Sequence, residues 1–186
     1  MEFMEVVNKR RSVRSYSPKQ VDRAVIESLL DAAVKAPSGM NTQPWVFGVI
    51  QDRALLDDLA ERIRKFLLSK VEEWDWLARY KEHLENPESH VFYHAPTLIV
   101  IYAKEKGPLS QIDCCLAAEN LMLAACDKGL GSCWIGFATW VLDAPETKRE
   151  LGVPTEYTVI APIIVGYPAS EPPVVEKKPP EILYWR

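Results

Sequence analysis

One segment constrains this chain more than any other. From Cys114 to Cys126 the sequence reads C-C-L-A-A-E-N-L-M-L-A-A-C, and only Glu119 and Asn120 are polar. Pro108 opens the segment and Gly129 closes it, so the pattern predicts one long helix over residues 108–128 with Gly129 at the C′ position. A helix apolar nearly all round cannot turn a broad side to water. A chain of 186 residues buries about 70% of its unfolded surface, which is enough for one core but not for a helix wrapped on every side. The second cover is therefore expected to be another copy of the chain, a homodimer.

The remaining pattern is that of one α-and-β domain spanning 1–186. Residues 21–36 alternate Val21, Val25, Leu29, Ala32 and Ala36 with Arg23, Glu27, Asp31 and Lys35, an amphipathic helix. Asp22 is its expected N-cap, with Val21 and Ile26 as a staple across it and Pro37 as its stop. Residues 45–50 form a short β-prone run, and 53–68 read as a helix. The stretch 69–94 interleaves Trp74, Trp76, Tyr80, Phe92 and Tyr93 with charges. It is expected to make one or two surface helices broken at Asn86-Pro87.

Thr97-Leu98-Ile99-Val100-Ile101-Tyr102 is a continuous β-branched and apolar run, as in a central strand. Residues 132–137 and 157–165 are further strands, with a short helix near 145–151 between them. The prolines from Pro168 to Pro180 exclude regular structure in residues 167–186. Val174, Ile182, Leu183 and Trp185 favour an extended arm packed on a surface over a disordered tail.

Several function classes are disfavoured. The net charge of −4 argues against a general nucleic-acid binder. No apolar run reaches the roughly 20 residues of a membrane span, and the acidic start Met1-Glu2-Phe3-Met4-Glu5 is not an export signal. The four cysteines contain no C-x-x-C pair and read as reduced core residues, which fits a cytoplasmic protein. The histidines, His83, His90 and His94, are read as no ligand set, so no metal is expected. No Ser-His-Asp, HExxH, Walker A or GxGxxG pattern is present, and no nucleophile–base pair can be named. The chemistry is therefore expected to come from a bound cofactor.

Three segments could hold one. Arg10-Arg11-Ser12-Val13-Arg14-Ser15-Tyr16 offers forked donors suited to phosphate and to an electron-rich ring edge; the alternatives are a solvated basic loop or a short nucleic-acid arm. Ala36-Pro37-Ser38-Gly39-Met40-Asn41-Thr42-Gln43-Pro44-Trp45 packs hydrogen-bonding groups beside a glycine, or is an ordinary connection. In Gly129-Leu130-Gly131-Ser132-Cys133-Trp134-Ile135-Gly136-Phe137, a glycine inside an apolar strand suggests close approach of backbone to a flat ligand, or a bulge.

In this order, with A-P-T-L-I-V-I-Y, A-A-E-N-L-M-L-A-A-C-D-K-G-L-G-S-C-W-I-G-F, and V-G-Y-P followed by K-K-P-P, these segments resemble the nitroreductase family of flavin enzymes. The resemblance spans nearly the whole chain except residues 69–94. It implies an α+β fold, a mostly antiparallel sheet flanked by helices, in an intertwined homodimer with FMN in clefts lined by both chains. Carried across, Arg10 and Ser12 hold the FMN phosphate together with Lys177 or Lys178, and Arg11 contributes from the same segment. Arg14 points at the pyrimidine edge. Pro37, Ser38, Met40, Asn41 and Gln43 reach the ring edge or come from the partner chain. Trp134, Ile135 and Gly136 lie along the ring, with the Ile135–Gly136 backbone facing N5. The activity implied is hydride transfer from NADH or NADPH through the flavin to a small-molecule acceptor such as a nitroaromatic or quinone, by ping-pong turnover. Reductive dehalogenation, flavin breakdown and a non-catalytic flavin-binding redox sensor are the alternatives.

Overall fold

The computed structural model describes residues 1–186. Four strands make one antiparallel sheet: β1 (Trp45–Ile50), β2 (Thr97–Ala103), β3 (Gly131–Trp134) and β4 (Thr158–Gly166), in the order β1-β2-β4-β3. The pairs β1–β2, β2–β4 and β3–β4 are all antiparallel. Every residue of β2 is buried, as its unbroken apolar run requires of a strand covered on both faces. Its alternation divides the core. Leu98, Val100 and Tyr102 face one layer, whereas Ile99, Ile101 and Ala103 face the other.

The first layer is built from α3 (Arg53–Lys70), α4 (Lys81–Glu85) and α6 (Thr139–Leu142). Asp52 caps α3 through Leu55 N–H at 3.0 Å. The stretch 69–94 carries a 3₁₀ turn over Asp75–Tyr80 and then α4, which ends at Asn86 as expected. It is less superficial than its charges suggest, because Leu77, Leu84, Val91 and Phe92 are buried in this layer. Trp74, Trp76, Phe66 and Trp140 stack beside them.

The second layer holds α2 (Arg23–Ala33) and α5 (Pro108–Asp127). Helix α2 is shorter than its apolar pattern predicted, and it buries Ile26, Leu29 and Ala33. Asp22 stands at its N-cap, but the side chain makes no cap hydrogen bond, so that part of the expectation fails. Val21 and Ile26 are both buried there, as a staple would have them. Helix α5 ends as predicted. Gly129, at φ 71°, donates to Cys126 O at 3.0 Å and Leu130 donates to Ala125 O at 2.8 Å, a Schellman close.

Two helices were not foreseen in outline, the short α6 and the N-terminal α1 (Phe3–Lys9), whereas α7 (Pro145–Glu150) falls where a helix was read. The third strand is also shorter than expected. It stops at Trp134, and Gly136 lies in a 3₁₀ turn beyond the ladder rather than inside a strand. Residues 171–186 form no helix or strand. The end of this arm packs on nothing in its own chain, with Leu183 94% and Trp185 88% exposed.

Candidate functional site

The arginine segment owes its position to strand pairing. Ser12 bridges Ser132 of β3 in parallel, and Val13 N–H donates to Ser132 O at 3.0 Å. Further along, Ser17 N–H donates to Tyr167 O at 2.8 Å and Ala169 N–H to Ser15 O at 3.0 Å. Residues 12–17 are thus stitched between β3 and the chain leaving β4. This is what brings the first and third candidate segments together, and it starts the C-terminal arm beside the arginines.

The result is a cavity of about 280 Å³ lined by Arg10, Arg11, Ser12, Arg14, Lys177 and a wall of Pro172, Pro173 and Val175. Four cations and no carboxylate line it, which suits a polyanion such as phosphate. A larger cavity of about 690 Å³ shares Arg10 and Arg11 but also includes Glu5 and Glu171, so it is less suited to one. Of the two lysines left open by the sequence, Lys177 lines the cationic cavity and Lys178 does not.

The four cations are not equally free. Arg10 Nε is held at 3.3 Å by Glu119 of α5, the one acid in that helix's apolar stretch. Arg11 Nη1 donates to the carbonyls of Asn8 and Arg10, a cap on the end of α1. Arg14 donates to Ser12 O at 3.4 Å and has no carboxylate partner. Beneath them sits buried Cys133. Burial pushes its thiol up, while Arg14, Ser12 and Arg10 pull the other way. Cys114, on the buried face of α5, is pushed up to about 12 by desolvation, as expected of a core thiol.

Past the end of β3 the backbone opens. Ile135 is buried and its N–H is spent on Pro162 O at 2.8 Å, so it has no donor left for a ligand. The next residue differs. No hydrogen bond within the chain takes up the Gly136 N–H, and a Cβ built on Gly136 meets no atom within 4 Å. Nothing in the chain's own packing demands glycine there, whereas a flat ligand approaching the backbone would. Cationic cavity, open glycine and free N–H together fit a phosphate-bearing planar group such as FMN. Trp134 packs against the α2–α5 layer.

Pro37, Ser38, Met40, Asn41 and Gln43 are elsewhere. Their loop is tied to α5, where the buried Asp113 carboxylate accepts the Gly39 N–H at 3.2 Å. Gln43 N–H donates to Ser38 Oγ at 3.0 Å, and Gln43 Nε2 to Asn41 Oδ1 at 3.1 Å. Met40, Asn41 and Gln43 adopt φ of 50°, 57° and 47°, a left-handed backbone that is costly outside glycine. Met40 is 93% exposed. No cavity lined by Arg10, Arg11 or Arg14 includes a residue of this loop. Within one chain the second candidate segment is therefore not joined to the other two.

Sequence reasoning missed the two anchors, Glu119 and Asp113; their signal was an acid set into an apolar helix. It also passed over the H-x3-H spacing of His90 and His94. With Asp57 these place ligand atoms within 4.8 Å of one another. However, Arg53 Nη2 lies 2.8 Å from His94 Nδ1, and His90 Nδ1 accepts backbone N–H groups from Phe92 and His94. Those nitrogens are already committed, and the trio is a hydrogen-bonded network.

Comparisons with known proteins agree with this geometry. The family model described as Nitroreductase family matches residues 7–167. A relative from Archaeoglobus fulgidus, provisionally named NADH dehydrogenase/NAD(P)H nitroreductase, is 30% identical over 170 residues, covering 91% of this chain and 87% of its own. Human iodotyrosine deiodinase 1 is 31% identical over 196 residues, covering 95% of this chain and 65% of its own. Among solved structures, a Bacteroides fragilis nitroreductase with bound FMN superposes with a TM-score of 0.83 at 31% identity, covering 100% of this chain and 98% of that one. Sheet, arginine segment and open glycine fall inside the matched residues, and the chain belongs to the nitroreductase family.

Proposed function

We propose that the chain is an FMN-dependent oxidoreductase working as a homodimer. The observation that carries this reading is the pairing of Ser12 with Ser132, which joins the segment lining a four-cation cavity to β3, the strand that leads into an open glycine with a free N–H. Bound there, FMN would supply two-electron chemistry, accepting hydride from NADH or NADPH and passing the electrons to a nitroaromatic, a quinone or a similar small acceptor in alternate half-reactions. Arg10, Ser12 and Lys177 would hold the phosphate. Arg14, which has no carboxylate partner, would stabilise the electron-rich pyrimidine edge of the reduced ring more than that of the oxidised ring. The Gly136 N–H would donate at N5. The names of the Archaeoglobus relative and of the FMN-bound structure support cofactor and donor.

The test is direct. Purified protein is expected to be yellow, with about one FMN per chain. Under anaerobic conditions NADH or NADPH is expected to bleach it, and a nitroaromatic or quinone to restore the colour. A preparation that refuses added FMN would overturn the proposal. The deiodinase relative supports a second reading, in which an iodinated phenol is the acceptor that restores the colour.

The homodimer rests on α5. Its outer side leaves Leu109, Ile112 and Leu116 at 64%, 54% and 42% exposure, an apolar stripe that one chain does not cover. The helix carries Asp113 towards its N-terminal end and Glu119 six residues further on. Isologous pairing along α5 would set one half of the helix beside the other half of its mate. The strained loop held by Asp113 would then approach the arginines held by Glu119 in the other copy. Sedimentation is expected to give a dimer, and Ile112→Glu to give a chain with weaker FMN binding. Cys115, exposed on the same helix in one chain, is expected to resist alkylation in the native protein and to react after Ile112→Glu. A wild-type monomer that keeps its flavin would remove the shared cleft.

A further inference from the structure

The turn over residues 90–95 is strained without glycine. Tyr93 and His94 take φ of 51° and 56° in succession, a conformation that a bulky aromatic residue rarely adopts. His90 ties the turn together. Its Nδ1 accepts the N–H groups of Phe92 at 3.2 Å and His94 at 3.3 Å, and its carbonyl accepts the Tyr93 N–H at 2.7 Å. Both bonds to Nδ1 require a lone pair there, so the neutral ring carries its proton on Nε2. That N–H donates to Asp57 Oδ1 at 2.9 Å. The other oxygen of Asp57 accepts from Arg53 Nε at 3.0 Å, and Arg53 also reaches the His94 carbonyl at 3.2 Å. Helix α3 thereby grips both ends of the turn.

The turn meets Arg14 through Tyr93. Tyr93 and Arg14 line the same cavity of about 400 Å³, and the guanidinium acts on the phenol against the rise that burial causes. Arg14 also lines the cationic cavity, so it stands between the turn and the arginine cluster. We infer that His90 is a positioning residue: its neutral, Nε2-protonated ring locks the 90–95 turn and so holds Tyr93 against Arg14. The inference rests on the flavin reading only in giving Arg14 a ligand to face.

A pH dependence follows. The charged and titratable groups around His90 are Asp57 and Arg53 on α3 and the His94 ring, 4.3 Å between centroids. Across the cavity stand Arg14, Tyr93, His83 and Glu88. Protonating Nδ1 would set an N–H against two N–H donors. Burial also holds the imidazole below its usual 6.5, with His94 and Arg53 pushing the same way and Asp57 opposing. Above 6.5 the ring is neutral in folded and unfolded chains alike. As pH falls below 6.5 the unfolded chain takes up a proton that the native turn resists, and stability is lost.

His90→Asn separates lock from titration. Its side-chain oxygen can accept the same two amides and does not ionise. Nitrogen NMR of the wild type is expected to show His90 protonated on Nε2 at pH 7.5, with the Phe92 and His94 amides protected from exchange. FMN binding is expected to weaken several-fold in the wild type between pH 7.5 and 5.5, but less in His90→Asn, which cancels the titration of the FMN phosphate itself. His90→Leu is expected to expose both amides and to weaken FMN binding roughly tenfold at pH 7.5. Superimposable pH profiles for wild type and His90→Asn, a proton on Nδ1, or His90→Leu with wild-type affinity would each overturn the inference. Failure of the wild type to bind FMN would instead strike the flavin reading, leaving tautomer and amide protection to judge the turn.

Discussion

Substituting valine for Gly131 is expected to cost the fold roughly 2–4 kcal/mol and to take flavin binding down with it. A Cβ built on Gly131 comes within 2.7 Å of Val13 Cγ2, 2.8 Å of its Cβ and 2.9 Å of its Cγ1. Rotation of Val13 clears the methyl groups but not the Cβ, which is fixed to the backbone. The arginine segment itself must move, and the Val13 N–H to Ser132 O bond is what it would lose. For a chain of this size that loss corresponds to a fall in Tm of roughly 5–15 °C. Thermal melting with FMN titration checks both halves. Pairing Gly131→Ala with Val13→Gly returns the space and is expected to recover most of the affinity. Gly131→Val with wild-type Tm and FMN affinity would show that the two segments are not pressed together.

That contact also marks how far the sequence could be read. The buried strand β2 and the long helix α5 were legible because their signals are local: an unbroken β-branched run, and a proline-to-glycine frame around apolar residues. Even the site was legible as three separate segments. Their assembly was not, since Ser12 meets Ser132 across 120 positions and no local pattern encodes a pairing at that distance. The sequence suggests the close backbone approach at Gly136, yet Gly131 is a glycine that a neighbouring side chain forbids to change, facing the chain's own Val13. Gly136 faces open space, which is a ligand's signature and not a packing one. Nor could charge alone rank the arginines. Arg11 looks equal to Arg10 in the sequence, and only the structure shows it spent on the carbonyls that end α1.

That inequality gives the second large effect. Arg10→Ala is expected to weaken FMN binding roughly tenfold to a hundredfold, about 1.5–3 kcal/mol for a charge-assisted contact to phosphate. Arg11→Ala is expected to change affinity by less than about threefold, because its guanidinium serves backbone carbonyls, and to lower stability slightly by uncapping α1. Lys177→Ala is expected to follow Arg10→Ala in direction and Lys178→Ala to stay near wild type, since only Lys177 lines the cavity. Riboflavin, which lacks the phosphate, isolates the cause. If Arg10 binds that phosphate, its removal reduces the preference for FMN over riboflavin by the same factor and leaves riboflavin affinity nearly unchanged. If Arg10 instead only braces α5 through Glu119, both ligands weaken together and the ratio holds. A constant ratio would therefore move the phosphate out of the arginine cavity, whatever the absolute loss.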